Sequence, residues 1–376
     1  MRIPALLLAL SLIACAHFPP GPRHEIVGYY PGWKESIPVE PSLLTVINYA
    51  FLDIGRDGRL VLVDPPNDEK HFRRLAAIKA DFPHVKLVAS VGGWTRSYGF
   101  SNMAASASMR ARFIESSLAF LKRYGFDGID LDWEYPGAIG VPCAVGQTCD
   151  RPEDKRNYVT LARELRAALD AGGRSDGKRY VATIAAGADR KFLYDGDSAR
   201  WMVEMAEALD WINLMTYDYH GSWERRAEML ASLRDIDATV TMYLAAGVPS
   251  RSLTLGIPFY GKGWIGCDPG PRGDGFEQPC AAAVSDPPEA TFEYWRLRRE
   301  GYLDGSRGFA RHRDGSARVP YLYAPSSGTF ITHDDETSIG EKVRYLKARG
   351  LLGAMYWELS ADHERELGRA VARELK

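Results

Sequence analysis

The stretch Phe126-Asp127-Gly128-Ile129-Asp130-Leu131-Asp132-Trp133-Glu134-Tyr135-Pro136 decides the reading of this chain. Asp130, Asp132 and Glu134 alternate with Ile129, Leu131 and Trp133, the period of two expected of a β-strand, whose side chains point to opposite faces in turn. Three carboxylates therefore crowd one face, and three large apolar side chains the other. Like charges a few ångströms apart cannot all ionise at neutral pH, so at least one carboxyl keeps its proton, and such a group can serve as a general acid. Asp127 has the wrong parity for that face and is expected at the strand's start, bonded to backbone. Two other readings compete. Oxygen ligands at this spacing could hold a divalent cation, and acidic residues on an edge strand are often solvated surface. The apolar face argues against the surface, because such a strand reads as buried on both sides. The cation reading lacks a clustered second source of His or Asp ligands.

Working outward, short apolar runs alternate with helical segments along the chain, the pattern of a parallel sheet with crossover helices. Eight strands are expected: Ile26 to Tyr30, Val46 to Phe51, Leu87 to Val91, Gly128 to Asp132, Val181 to Ile184, Trp211 to Met215, Leu253 to Pro258 and Gly353 to Tyr356. Eight suits a closed (β/α)8 TIM barrel over residues 25–376, with chemistry at the C-terminal strand ends, where the following loops converge. A helix from Met109 to Tyr124 carries Phe113, Ser117, Phe120 and Tyr124 on one stripe, and one from Glu153 to Ala171 carries Tyr158, Leu161, Leu165 and Leu169. Gly125 and Gly172 are expected to stop them. The long connection between the seventh strand and the helix from Ser338 to Ala348 breaks the rhythm. Its aromatics, Tyr294, Trp295, Phe309, Tyr321 and Tyr323, argue against disorder, so residues 265–332 read as a small α+β insertion.

Composition narrows the function. The 376 residues carry a formal net charge of -2 and 45% hydrophobic content, enough for a large core. With no Lys/Arg run and no phosphate-cradling loop, nucleic acid and nucleotides are poor candidates. Nine Trp and nineteen Tyr favour neutral sugars, which bind flat apolar rings. Residues 1–14, with Arg2 ahead of the apolar run from Ala5 to Ile13, read as a secretory signal too short to span a bilayer. They end in Leu12-Ile13-Ala14-Cys15, which resembles a bacterial lipobox. Cys15 would then carry lipid, residues 15–24 would form a tether, and the exported protein would be anchored to a membrane, the outer one in a diderm host since Ala16 and not Asp follows the cysteine. Cys143 with Cys149, and Cys267 with Cys280, each bracket a loop, so two local disulfides in an oxidising compartment are the simplest pairing. Their spacings match no Cys-x-x-Cys metal site.

The acidic stretch, as Asp127-x-x-Asp130-x-Asp132-x-Glu134, resembles the signature of the family 18 glycoside hydrolases, the chitinases and their relatives. Gly28-Tyr29-Tyr30, Ile47-Asn48-Tyr49-Ala50-Phe51, Ser90-Val91-Gly92-Gly93-Trp94, Asn213-Leu214-Met215-Thr216-Tyr217-Asp218, Gly256-Ile257-Pro258-Phe259-Tyr260-Gly261 and Gly353-Ala354-Met355-Tyr356-Trp357 resemble the same family in order. The likeness spans about residues 25 to 375. Deep-cleft members carry an insertion where this chain has one.

The resemblance implies a substrate-assisted reaction, in which no second carboxylate attacks the sugar. Glu134 would protonate the leaving oxygen while the sugar's own 2-acetamido oxygen attacks the anomeric carbon. Asp132 would orient that group, Asp130 would share a proton with Asp132, and Tyr217 would bond the acetamido oxygen. Asp218 would contact sugar hydroxyls and raise the pKa of Glu134, and Trp357 would floor the subsite of the distorted sugar. Trp94 and Trp223 would stack sugars on the leaving side, with Tyr29, Phe51, Ser90 and Met215 lining the pocket. The expected partner is chitin or chitooligosaccharides, the expected state a monomer, and neither cofactor nor metal is implied. A dead chitin-binding lectin on the same barrel is disfavoured by the intact Asp130, Asp132 and Glu134. An endo-β-N-acetylglucosaminidase acting on glycoproteins would share the chemistry and differ in the cleft.

Overall fold

The computed structural model describes residues 24–138, 140, 143 and 148–375. Eight parallel strands close on themselves: β1 (Glu25–Pro31), β2 (Val46–Ile54), β3 (Lys86–Gly92), β4 (Gly128–Asp132), β5 (Val181–Ala186), β6 (Trp211–Leu214), β7 (Leu253–Pro258) and β8 (Gly353–Trp357). Each pairs with the next, and β8 returns to β1 with Gly353 opposite Glu25. This is the expected TIM barrel, and every expected strand is present, with small shifts at the ends.

The outer faces of the strands bury against helices. Trp133 is fully buried, stacked on Phe100 at 5.2 Å and meeting Tyr158 edge-on at 5.1 Å, so the apolar face of the acidic stretch does find a cover. Asp127 accepts a hydrogen bond from the Leu87 backbone N at 2.8 Å and pairs with Lys79, which ties β4 to β3 at their N-terminal ends. The helix Ala107–Tyr124 is capped by Ser106 and stops at Gly125, whose φ of 73° is left-handed.

Two expectations are corrected. The helix Asp154–Asp176 runs through Gly172 and stops at Gly177, with φ 67°. A Cβ on Gly173 would lie 2.4 Å from the Lys178 carbonyl and one on Gly172 3.1 Å from the Leu118 side chain, so these two glycines allow close approaches and do not end the helix. The insertion sheet also begins before residue 265, because its first strand, Tyr260–Ile265, follows β7 after the single residue Phe259. That strand pairs antiparallel with Ala282–Ala283, Thr291–Glu293 and Thr329–Thr332, and the sheet continues through Pro320–Ala324 to Ala310–Arg313. A core of Trp264, Phe276, Tyr321, Tyr323 and Phe330 holds it. Disulfides join Cys143 to Cys149 and Cys267 to Cys280. The signal segment 1–14, Cys15 and the tether up to residue 23 lie outside the described residues. Among the described residues no helix is long and apolar enough to cross a membrane.

Candidate active site

The three carboxylates of the acidic stretch meet at the C-terminal mouth of the barrel, at the base of a cleft of about 1700 Å³. Strand register explains the deepest one. Asp130 stands beside Ser90 of β3 and Thr183 of β5. Its Oδ2 accepts from the hydroxyls of Ser90 (2.7 Å) and Tyr29 (2.9 Å), and its Oδ1 from Thr183 Oγ1 (2.6 Å) and Asn213 Nδ2 (3.4 Å). Burial raises its pKa, while these donors oppose the rise by favouring the anion. They also answer the cation reading, since protein donors occupy both oxygens.

Asp132 is in the opposite position. It is buried and, among the described residues, its Oδ1 has no hydrogen-bond partner. Burial first, then the charges of Glu134 and Asp130, push its pKa well above the usual carboxylate range. Four donors favour the anion at Asp130 while Oδ1 of Asp132 has none, so of the two Asp132 holds a proton more strongly. Glu134 lies just beyond the strand end. Burial raises its carboxyl to about 7, a hydrogen bond with Tyr135 works against the rise, and Asp218 adds to it. Below about pH 7 the protonated form of Glu134 therefore predominates, as a general acid requires.

The turn after β3 fixes where Glu134 sits. Ser97 Oγ accepts from the Glu134 backbone N at 2.8 Å and donates to the Gly93 carbonyl at 2.9 Å. Gly92, at φ 103°, lies so close to β4 that a Cβ would stand 2.4 Å from the Asp132 carbonyl, which is why that turn needs glycine.

Tyr217 follows β6 and lines the cleft; its hydroxyl lies 4.0 Å from the Met355 sulfur. Burial and the charges of Asp132 and Glu134 keep that hydroxyl protonated, hence a donor. Asp218 is held by Tyr260 at 2.8 Å. Trp357 lies 5.6 Å from Phe51 at 20° and 5.4 Å from Tyr29, and Met215 lines the cleft beside them. Trp94 and Trp223 line it as well, 50% and 61% exposed. Ser90 departs from expectation: it is fully buried beneath the cleft, spent on Asp130 and out of reach of a ligand.

Trp33, Thr183, Ser97 and Lys262 are not among the residues the sequence points to, and Asn213 and Tyr260 enter there only as members of motifs. Trp33 carried a usable signal, since it follows a barrel strand much as Trp94 does. Thr183 carried none by itself, and the motif that contains Asn213 gave no partner for it; only the register of β4, β5 and β6 brings both to Asp130.

The model of the glycosyl hydrolases family 18 matches residues 25–362, and the chain belongs to that family. Chitinase A1 of Niallia circulans is 35% identical over an alignment covering 92% of this chain and 57% of that protein. Chitinase ChiA74 from Bacillus thuringiensis superposes with a TM-score of 0.85 at 34% identity, covering 94% of this chain and 70% of that one. A family 18 N-acetylglucosaminidase from Paenibacillus barengoltzii gives 0.80 at 32% identity, covering 94% of this chain and all of that one. The chain thus spans little more than half the length of Chitinase A1.

Proposed function

We propose that this protein is a chitinase that hydrolyses β-1,4 linkages between N-acetylglucosamine units by substrate-assisted, retaining catalysis. The observation that carries the reading is the pairing of Glu134, held with its proton by burial, with Asp132, buried and with an oxygen left unpartnered. Glu134 gives its proton to the leaving glycosidic oxygen as the bond to the anomeric carbon breaks. The acetamido oxygen of the same sugar closes onto that carbon, and the Tyr217 hydroxyl and Asp132 hold the acetamido group for it. Water then opens the ring with Glu134, now a carboxylate, taking its proton. Two displacements return the β configuration. Asp130, satisfied by four donors, fixes the Asp132 end of the pair and takes no part in bond making.

The two disulfides suit an oxidising compartment and hence export. The Cys15 lipobox reading adds a lipid anchor, tested by whether Cys15→Ser moves the protein from the membrane to the soluble fraction. A monomer is the state proposed, to be checked by sedimentation.

Chitosan tests the mechanism directly. A sugar with a free amine offers no acetamido oxygen, so fully deacetylated chitosan should resist, and partly acetylated chitosan should give only N-acetylated new reducing ends. Efficient cleavage after glucosamine, or α-anomers in freshly quenched products, would mean that water or a protein carboxylate attacks directly. A panel of chitooligosaccharides set against a high-mannose glycoprotein separates chitinase from glycoprotein endo-glycosidase.

A further inference from the structure

Apart from the acidic floor, the cleft holds a second built feature around Trp33. This indole is 56% exposed, and its ring lies 6.1 Å from Phe51 at 16° and 6.1 Å from Trp357 at 34°. Phe51 and Trp357 are themselves stacked, so three rings from the ends of β1, β2 and β8 make one run of flat apolar surface along the cleft. Trp357 and Phe51 are packed into the barrel mouth. Trp33 stands on a loop, and something must hold it in line.

Lys34, the next residue, does so. Its Nζ pairs with Glu293 of the insertion and lies 3.4 Å from Glu358 Oε1. Glu358 directly follows Trp357 and is 5% exposed, with Ser360 supplying its hydroxyl and backbone N at 2.6 Å each. The other oxygen of Glu293 accepts from Trp295 Nε1 at 2.8 Å, and Trp295 stacks on His363 at 4.7 Å and 3°. One ammonium therefore joins the residues that follow Trp33 and Trp357, and ties both to the insertion, whose Glu289 and Thr291 form part of the cleft wall. An exposed lysine pair alone contributes little. This pair differs because Glu358 is buried: burial raises its carboxyl, and Lys34 is the main charge that opposes the rise. Without Lys34 a buried carboxylate is left without its counter-ion one residue from Trp357.

We propose that Lys34 is a positioning residue that fixes the spacing of Trp33 from Trp357, and so sets how strongly the cleft favours one more sugar beyond the one at Trp357. This rests on the chitinase reading above. Lys34 touches no reacting atom; it acts through the rings, and the insertion acts through it.

The test uses the 4-methylumbelliferyl β-glycosides of the N-acetylglucosamine disaccharide and trisaccharide, reading the trisaccharide-to-disaccharide ratio of kcat/KM. Lys34→Met should lower that ratio about fivefold, the scale of coupling between residues that act through one another. Lys34→Arg should restore most of it, and Lys34→Met should add nothing in a Trp33→Ala background. Should Lys34→Met fold poorly, Glu293→Gln cuts only the insertion arm and should shift the ratio in the same direction. Equal losses on both glycosides, or effects additive with Trp33→Ala, would reduce Lys34 to a fold-stabilising pair and overturn the proposal. A wild-type enzyme that released the fluorophore from neither glycoside would sink the chitinase reading and the Lys34 role with it. Wild-type turnover with an unshifted ratio in the variants sinks the Lys34 role alone.

Discussion

The acidic floor and the aromatic walls of the cleft are built on different terms. Asp130, Asp132 and Glu134 sit two residues apart on one strand and its exit, buried, with their environment supplied by neighbouring strands in register. Trp33, Trp94 and Trp223 come from loops after three different strands and stand about half exposed or more. On the proposed reading the floor performs the chemistry, and its groups are coupled to one another. On the same reading the walls bind sugars, and Trp94 and Trp223, which stand on separate loops, should contribute nearly independently. A fault in the floor should therefore appear in kcat, and one in the walls in KM.

The sharpest challenge to this division is Glu134→Gln. It keeps shape and hydrogen bonding while removing the proton, so kcat should fall at least about 10²-fold with oligosaccharide binding retained. Near-normal turnover by the purified variant would dissolve the assignment of the floor. The same residue sets the pH profile of the parent. Since the acid form is required and burial holds the Glu134 carboxyl up to about 7, kcat/KM should decline as pH rises through that value. Stability carries the same signature. The unfolded chain loses this proton near the ordinary 4.5, the folded chain near 7, so folding binds a proton in between and stability falls as pH rises across that window. Glu134→Gln should remove this fall, and its advantage in chemical denaturation over the parent should grow between pH 4.5 and 7. An advantage that stays flat with pH would count against a buried, protonated Glu134.

For the walls, Trp94→Ala and Trp223→Ala should each raise KM for long chitooligosaccharides about tenfold with kcat little changed, the loss of one stacked ring. A matching fall in kcat would show that the walls also help to align the reacting bond. The smallest effect on turnover is expected from the Cys143–Cys149 bridge, which closes a short loop after β4. Its removal should cost roughly 2 kcal/mol in the chain-entropy model and little activity, measurable as a lower Tm. Alkylation of Cys143 in the native, unreduced protein would contradict the bridge itself.

Local chemistry made the floor legible. Parity along Asp130, Asp132 and Glu134 is a covalent consequence of strand geometry, and the apolar residues between them announced burial on the other side. Asp127, of the wrong parity, does turn to the Leu87 backbone. Ser90 shows the limit of that reasoning. It belongs to a motif beside the site, yet its inward direction takes it to Asp130 beneath the cleft and not into it. Gly172 shows another, since a glycine near a helix end can mark either a stop or a close approach, and only the fold, which brings the Leu118 side chain to 3.1 Å from a Cβ placed there, tells them apart.

By itself the sequence determined the eight alternating strands, the face that carries the carboxylates and the family to which the motifs belong, because these depend on periodicities of two and 3.6 and on residues near one another in the chain. Tertiary structure alone decided which carboxylate keeps the proton and how far the aromatic floor extends. Asp130 and Asp132 have the same chemistry and parity. What separates them is that Tyr29, Ser90, Thr183 and Asn213, drawn from four other strands, all donate to the first, while an oxygen of the second has no partner. In the same way Lys34 meets Glu293 and Glu358 only after the barrel has closed, and no local pattern in the chain records that three residues so far apart share one charge.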